Sequence, residues 1–412
     1  MTQPTRRDLD CGTPLIVENI PGVRSAAMTW LIPAGSVTDD PDALGRSQVL
    51  SELLMRGGGG LDSRGQADAF DRLGASRHAG SGTTHIRVSV SCLGAKLCDT
   101  LPLLVDMVRR PTLSEASLAP TKDLAVQSIE SLADDPQERC VLAARARHYP
   151  APFDRSGLGT IEGIGSLTRG GVVSAWERLA RPEGSIIAAA GDVHADALAE
   201  ALNELLTDWA GPGGTYAMGS DAPRGYAHEK DDSNQVQILV VQDAPPEPHE
   251  DSVLERFVVN TLSGGMSGRL FTEVREKRGL CYSVSASYRA DREFGGVSAY
   301  VGTTPERAQE SLDVLLGELE RVREGINESE LERARIGMKS RLVFGGESTG
   351  ARAASLASDM RLLGRARSLR ELTERIDRVS LDEVNAYLRR REPGRMTIQT
   401  VGPEPLRPPA GV

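Results

Sequence analysis

Two glycine-rich stretches, Gly57 to Gly60 and Ser263 to Gly268, are the first places where this sequence could bring backbone against a ligand. Glycine permits close approach and hinge movement. Neither stretch is a phosphate loop, because the Lys-Ser or Lys-Thr that follows the glycines of a Walker sequence is missing. Gly57 to Gly60 reads as a turn after a helix. Ser263 to Gly268, with Gly264, Gly265 and the apolar Met266 at its centre, reads either as a helix-to-helix turn or as a contact loop. The five cysteines, Cys11, Cys92, Cys98, Cys140 and Cys281, form neither an even set nor a C-x-x-C pair. That argues against a disulfide framework and against a cysteine zinc site.

The elements that would position any such site come in a repeating order. Extended runs at Ala26 to Ile32, His85 to Cys92 and Ser185 to Ala190 alternate with helical patterns near Leu44 to Arg56, Arg64 to Leu73, Leu97 to Val108, Ala119 to Leu132 and Ala195 to Leu206. A stretch rich in Gly, Pro, Ser and Asp, Gly211 to Asp232, then breaks the pattern. Beyond it the order recurs. Strand Val236 to Val241 leads to helices Asp251 to Leu262 and Gly268 to Glu276, then to extended runs Ser283 to Arg289 and Gly295 to Gly302. Helices Pro305 to Arg323 and Glu328 to Phe344 follow, helical patterns continue through Leu372 to Arg390, and strand Met396 to Val401 closes the chain's second half. The spacing predicts domains at 1–210 and 236–412 joined by a linker at 211–235, and the matching order suggests an internal duplication. Strands gathered among long helices predict an α+β fold, helices against one face of a mostly antiparallel sheet.

A net charge of −10 argues against a nucleic-acid role, which needs basic surface, and would favour basic peptides as ligands. No run approaches the roughly 18 apolar residues of a membrane span. The first 18 residues lack the apolar run of a secretory signal, so a cytoplasmic location is expected.

Four stretches together carry a resemblance. They are Gly45 to Leu53 with Gly57; Pro152-Phe153-Asp154-Arg155 with Gly159-Thr160, leading to Arg181-Pro182-Glu183-Gly184 and Gly191-Asp192-Val193; Leu262 to Ser283; and Tyr300 to Pro305 coupled to the helix at Glu330 to Ala334. Their order resembles the pitrilysin/insulinase/mitochondrial-processing-peptidase family of zinc metallopeptidases along nearly the whole chain. The resemblance implies two similar α+β domains forming half of a clamshell chamber.

In that family an H-x-x-E-H helix holds Zn²⁺ through two His one turn apart, with the Glu as base. By resemblance these positions are Gln48, Ser51 and Glu52, and the third ligand falls near Ser128. Glutamine is a poor zinc ligand, serine takes no proton near neutral pH, and one carboxylate does not hold the metal alone. The resemblance therefore implies no metal and no catalytic residue in this chain. A rescue site built from Glu52, Glu130, His78 and His85 is the alternative; a lone His or Glu is more often a solvated or satisfied side chain.

Arg275 and Tyr282 match, at the same spacing of seven, an Arg and a Tyr that family members use to hold the substrate backbone near the zinc. Guanidinium and phenol donors suit an oxyanion that develops in peptide hydrolysis. Arg278 is the competing candidate, and a structural brace at the Gly279 turn is the competing role. Gly264, Gly265 and Met266 match a glycine-rich loop that touches substrate in the inactive subunit of mitochondrial processing peptidases. The implied function is a non-catalytic, substrate-binding subunit of a heterodimeric zinc metalloendopeptidase. Its partner would be a catalytic homologue carrying H-x-x-E-H and Zn²⁺, and its ligand a peptide. A structural or assembly subunit, or a self-associating peptide-binding protein, are the alternatives.

Overall fold

The computed structural model of the protein describes residues 3–219 and 221–409. The chain divides into two compact units, and neither is a contiguous half of the sequence. The first takes in the chain up to Ser131, Arg155–Gly219 and Phe344–Leu369; the second takes in Leu132–Asp154, the stretch ending at Val343, and the chain from Arg370 onward.

In the first unit, β1 (Thr5–Asp8), β2 (Pro14–Asn19), β3 (Ser25–Ile32), β4 (Ser76–Ser81), β5 (Ile86–Leu93) and β6 (Ile186–Gly191) lie in the order β1-β2-β6-β3-β5-β4. Only β2 and β6 run parallel. In the second unit, β7 (Gly225–Lys230), β8 (Val236–Ala244), β9 (Cys281–Ala290), β10 (Gly295–Thr303) and β11 (Thr397–Gly402) lie in the order β7-β11-β8-β10-β9, with β7 and β11 parallel. Strand for strand, β2-β6-β3-β5-β4 and β7-β11-β8-β10-β9 have the same connectivity, so the repeated element order is a repeated topology. Strand β7 lies inside the segment expected to be linker. Its sequence, Gly-Tyr-Ala-His-Glu-Lys, has no apolar alternation, and it is a strand because β11 offers it a parallel partner.

The helices repeat as well. After the central strand β3 come α1 (Arg46–Leu54) and α2 (Ser63–Arg72); after β5 come α3 (Leu97–Arg109), α4 (Glu115–Glu130) and α5 (Pro136–His148). Three more, α6 (Ile161–Ser166), α7 (Arg169–Leu179) and α8 (Ala195–Leu205), flank β6. In the second half, α9 (Ser252–Ser263) follows β8, and α10 (Ala308–Arg321), α11 (Glu328–Glu347) and α12 (Thr349–Leu363) follow β10. Helices α13 (Leu369–Arg378) and α14 (Leu381–Arg390) precede β11.

The central strands are buried on both faces. Side chains alternate along a strand, and in β3 Ala26, Met28, Trp30 and Ile32 enter the larger core of the first unit while Ala27 and Leu31 enter a smaller one behind the sheet. The smaller core is closed by α12, whose Ala353, Leu356 and Ala357 meet Ala188 and Ala190 of β6. In the second unit the same role falls to α5, whose Cys140 and Ala144 pack on Leu239, Val241 and Val401. Each unit thus contains one covering helix from the other half of the sequence.

A buried charge pair fixes the first of these helices. Arg352 of α12 donates from Nε to Glu18 of β2 at 2.5 Å and from Nη2 to the Arg367 carbonyl at 2.7 Å, both charged side chains being almost fully enclosed. Removing one member of such a pair leaves a buried charge unmatched, whereas replacing both with apolar groups is far less costly. Urea unfolding should therefore show Arg352→Ala destabilised by about 3–5 kcal/mol. The Glu18→Leu/Arg352→Leu double variant should lose much less than Arg352→Ala.

Candidate functional site

Helix α1 begins at Gly45, whose φ of 101° demands glycine, and its first turn is closed by the buried Asp39. Asp39 accepts the backbone N–H groups of Gly45 and Ser47 at 3.0 Å each and the Ser47 hydroxyl at 3.1 Å. Burial pushes its carboxyl up to about 6, although Arg46 and these donors oppose the rise. The three positions of the expected zinc motif follow on this helix, and two have local partners. The Ser51 hydroxyl is buried and donates to the Gln48 carbonyl at 2.8 Å, and Glu52 pairs with Arg56, one turn on, at 2.9 Å. Gln48 is half-buried. Helix α4 packs beside α1, and on it Ser128 is exposed, with its hydroxyl donating to the Leu124 carbonyl at 2.9 Å.

The residues of the rescue site are not assembled. Glu130 is exposed at the end of α4, and His78 is exposed on the edge strand β4. His85 lies just before β5, with Nδ1 at 2.9 Å from the Thr84 hydroxyl and Nε2 at 3.0 Å from the Gly184 carbonyl. Among the described residues no three His, Cys, Asp or Glu side chains converge as metal ligands.

In the second unit the helix after α9 starts at Arg269 and widens into a π-helical turn over Phe271–Glu276. Such turns recur at functional sites. Here Lys277 N–H reaches the Thr272 carbonyl at 3.0 Å, while Gly279 and Leu280 N–H groups reach Arg275 and Val274 carbonyls at 3.0 Å each, binding the helix end to the start of β9. Gly279, at φ 60°, turns the chain.

Arg278 is committed to this turn: it donates to the Glu273 carbonyl and carboxylate at 2.7 and 2.8 Å. Hydrogen bonds from Lys277 and Arg278 hold the Glu273 carboxyl at about 2. Arg275 instead lies over the Phe271 ring, 5.0 Å from its centroid, and makes no hydrogen bond or ion pair among the described residues. Tyr282 is 75% exposed, and its hydroxyl too has no protein partner among them. A β-bulge explains its exposure. Ser283 pairs with Gly302 and Cys281 with Thr303, so Tyr282 is the extra residue, released from the half-buried row of Val284 and Ala286.

The glycines of the loop between α9 and Arg269 have local reasons. A Cβ on Gly264 would lie 2.4 Å from the Asn260 carbonyl oxygen, one on Gly268 would lie 2.7 Å from that of Leu262, and Gly265 has φ 145°. They leave Met266 at the tip, 75% exposed.

Comparison with known proteins agrees with this architecture. Residues 15–152 match the family model for insulinase (peptidase family M16), and residues 166–338 match the model described as the peptidase M16 inactive domain. The chain belongs to peptidase family M16. This M16 protein is 27% identical over 410 residues to an uncharacterized zinc protease of Mycobacterium tuberculosis, covering 97% of this chain and 93% of that one. It is 26% identical over 389 residues to an uncharacterized zinc protease of Bacillus subtilis, covering 92% and 93%. Among solved structures, the peptidase M16 inactive domain from Pseudomonas fluorescens shares its fold with a TM-score of 0.88 at 21% identity over 99% of both chains. A chain of complex III from Candida albicans shares it with a TM-score of 0.80 at 16% identity, over 97% of this chain and 95% of that one.

Zinc, the metal of this family, does not fit the residues present. An amide at Gln48, a hydroxyl turned to its own helix at Ser51, a carboxylate neutralised by Arg56 at Glu52 and a hydroxyl at Ser128 offer no set of three ligands. The pairing of Glu52 with Arg56 was legible as an i,i+4 spacing, as was that of Phe271 with Arg275. The closure of the Asp39 cap and the engagement of Arg278 needed the fold. The helices that would carry ligands are nonetheless adjacent. Gln48→His/Ser51→Glu/Glu52→His should therefore bind Zn²⁺ weakly, and adding Ser128→Glu should tighten binding at least about tenfold by completing three ligands. Titration against a zinc indicator measures both.

Proposed function

We propose that this M16 chain is the non-catalytic, substrate-binding subunit of a heterodimeric zinc metalloendopeptidase. The observation that carries the reading is the contrast between its two units. In the first, the hydroxyls of Ser51 and Ser128 and the carboxylate of Glu52 are absorbed into local contacts; in the second, Arg275 and Tyr282 project from a turn that has recruited other residues to brace it. A guanidinium resting on one aromatic ring and a phenol without a protein partner are donors available to a ligand.

In this reading a catalytic homologue supplies the H-x-x-E-H helix and the edge strand on which a peptide adds. The zinc held by that homologue activates water and polarises the scissile carbonyl. Arg275 and Tyr282 donate to the carbonyl oxygen as negative charge develops on it, a charge-assisted bond from the former and a neutral one from the latter. The loop with Gly264, Gly265 and Met266 borders the bound chain. Among the described residues no helix is long and apolar enough to cross a membrane, and a cytoplasmic place of action is part of the proposal.

Steady-state kinetics of the reconstituted pair tests it. Hydrogen bonds from charged donors contribute about 1.5–3 kcal/mol, so Arg275→Ala should lower kcat/KM by roughly 10- to 100-fold, and Tyr282→Phe by less. Assembly and zinc content should be unchanged in both. Unaltered kinetics in an intact Arg275→Ala pair would leave the chain without a part in the chemistry.

A further inference from the structure

The two ends of the Arg275 side chain are held by different means. At the backbone, its carbonyl accepts the Gly279 N–H at 3.0 Å, so the turn fixes where the side chain begins. At the far end, the guanidinium carbon lies 5.0 Å from the centroid of the Phe271 ring, with no hydrogen bond or ion pair among the described residues. The guanidinium is also near the start of β9. Burial pushes the Cys281 thiol up, and the Arg275 charge opposes that rise, which places it beside the residue that precedes Tyr282.

Three other arginines among the described residues lie over aromatic rings, and each has a second partner. Arg77, over Phe70, donates to the Gln66 amide oxygen at 3.3 Å; Arg256, over Tyr288, pairs with Glu247; Arg390, over Tyr387, pairs with Asp251. Arg275 alone of the four has its ring and no polar partner. The ring in turn has no part in the core. Leu270 and Val274 on either side of it are fully buried there, whereas Phe271 is half-buried and belongs neither to that core nor to the apolar residues packed against it. A carboxylate in place of the ring would neutralise the guanidinium and occupy its N–H groups. An aromatic face attracts the cation and leaves those planar donors for a ligand.

We propose that Phe271 is the positioning residue of the Arg275 donor, holding the guanidinium in place before substrate arrives while leaving its N–H groups open to the scissile carbonyl oxygen. The proposal rests on the two-subunit reading, in which that oxygen becomes negative at the partner's zinc. A long arginine side chain loses rotamer freedom when it orders around a ligand. One already held on a ring loses less when the charge develops, so the benefit falls on the transition state. Phe271 itself touches no reacting atom and acts only through Arg275.

Two measurements test this together, with the thermal midpoint of each variant as the control on folding. The first is the arginine Nε–Hε spectrum of the isotope-labelled full-length chain without a partner, recorded cold, the Arg275 resonance being identified by its loss in Arg275→Ala. The ring should displace that resonance; Phe271→Leu should return it among those of exposed arginines, and Phe271→Tyr should keep it displaced. The second is the kinetics of the reconstituted pair. Phe271→Leu should lower kcat by roughly 2- to 30-fold, as the loss of one cation–π contact predicts, with KM little changed. Phe271→Tyr should recover most of that loss. In an Arg275→Ala background Phe271→Leu should cost nothing further, because a residue that acts through another has no effect once the other is gone. A displaced Arg275 resonance that persists in Phe271→Leu would overturn the proposal and leave Arg275 a donor. So would a Phe271→Leu loss as large without Arg275 as with it, which would assign the ring to packing. Wild-type kinetics in the Arg275→Ala pair would overturn the two-subunit reading and this proposal together.

Discussion

Neither sheet of this protein can be closed by its own half of the sequence. Residues on both faces of β3 and β8 are apolar, so each sheet requires cover on two sides, yet the helices that follow in each half, α1 to α4 or α9 to α11, leave one side bare. The cover comes from α12 in the first unit and α5 in the second. Burying those faces is worth about 25 cal/mol per Å² of apolar surface, and the gain is realised only when chain from the other half is in place. Polar anchors set the register of that cover. Glu18 receives Arg352 in the first unit, and in the second the buried His148 of α5 lies 3.0 Å from the Thr397 hydroxyl and 3.3 Å from Asp243.

Within this shared frame the two repeats have separated scaffold from chemistry in opposite senses. Helix α1 keeps an elaborate start, with Gly45 at positive φ and Asp39 accepting three hydrogen bonds, and still presents Gln48, Ser51 and Glu52 in place of a metal-binding set. The turn before β9 shows the reverse. Glu273, Lys277 and Arg278 are tied to one another, so the side-chain ion pairs that brace the π-helical turn do not involve Arg275 or Tyr282. Side chains that a structure does not need for its own stability are those most readily explained by what they bind.

Much of this was legible in the sequence, for identifiable reasons. The runs that became β3, β5, β6, β8 and β10 are dense in apolar residues, and the Leu262 to Ser283 stretch carries the family resemblance by residue type and spacing. Gln48, Ser51, Glu52 and Ser128 were expected from the family resemblance alone, and they fall on the neighbouring helices α1 and α4. Other features depended on partners remote in the chain. Helix α5 buries only Cys140, Ala144 and His148, too little for an apolar stripe, and its membership of the second unit is set by Leu239, Val241 and Val401. Strand β7 is visible only through β11, and the release of Tyr282 only through the register of β10.

The central claim is that this chain completes an active site whose metal is held by another polypeptide. Its most direct measurement is light scattering coupled to size exclusion, with metal analysis across the same peak, on this chain co-expressed with homologues that carry an intact H-x-x-E-H helix. The account predicts a one-to-one pair containing one zinc, lost as a unit when the homologue's His ligands are removed and retained when Gln48 or Glu52 is replaced. A chain that stays apart from every such homologue, or that holds one zinc per chain by itself through Glu52, would contradict it.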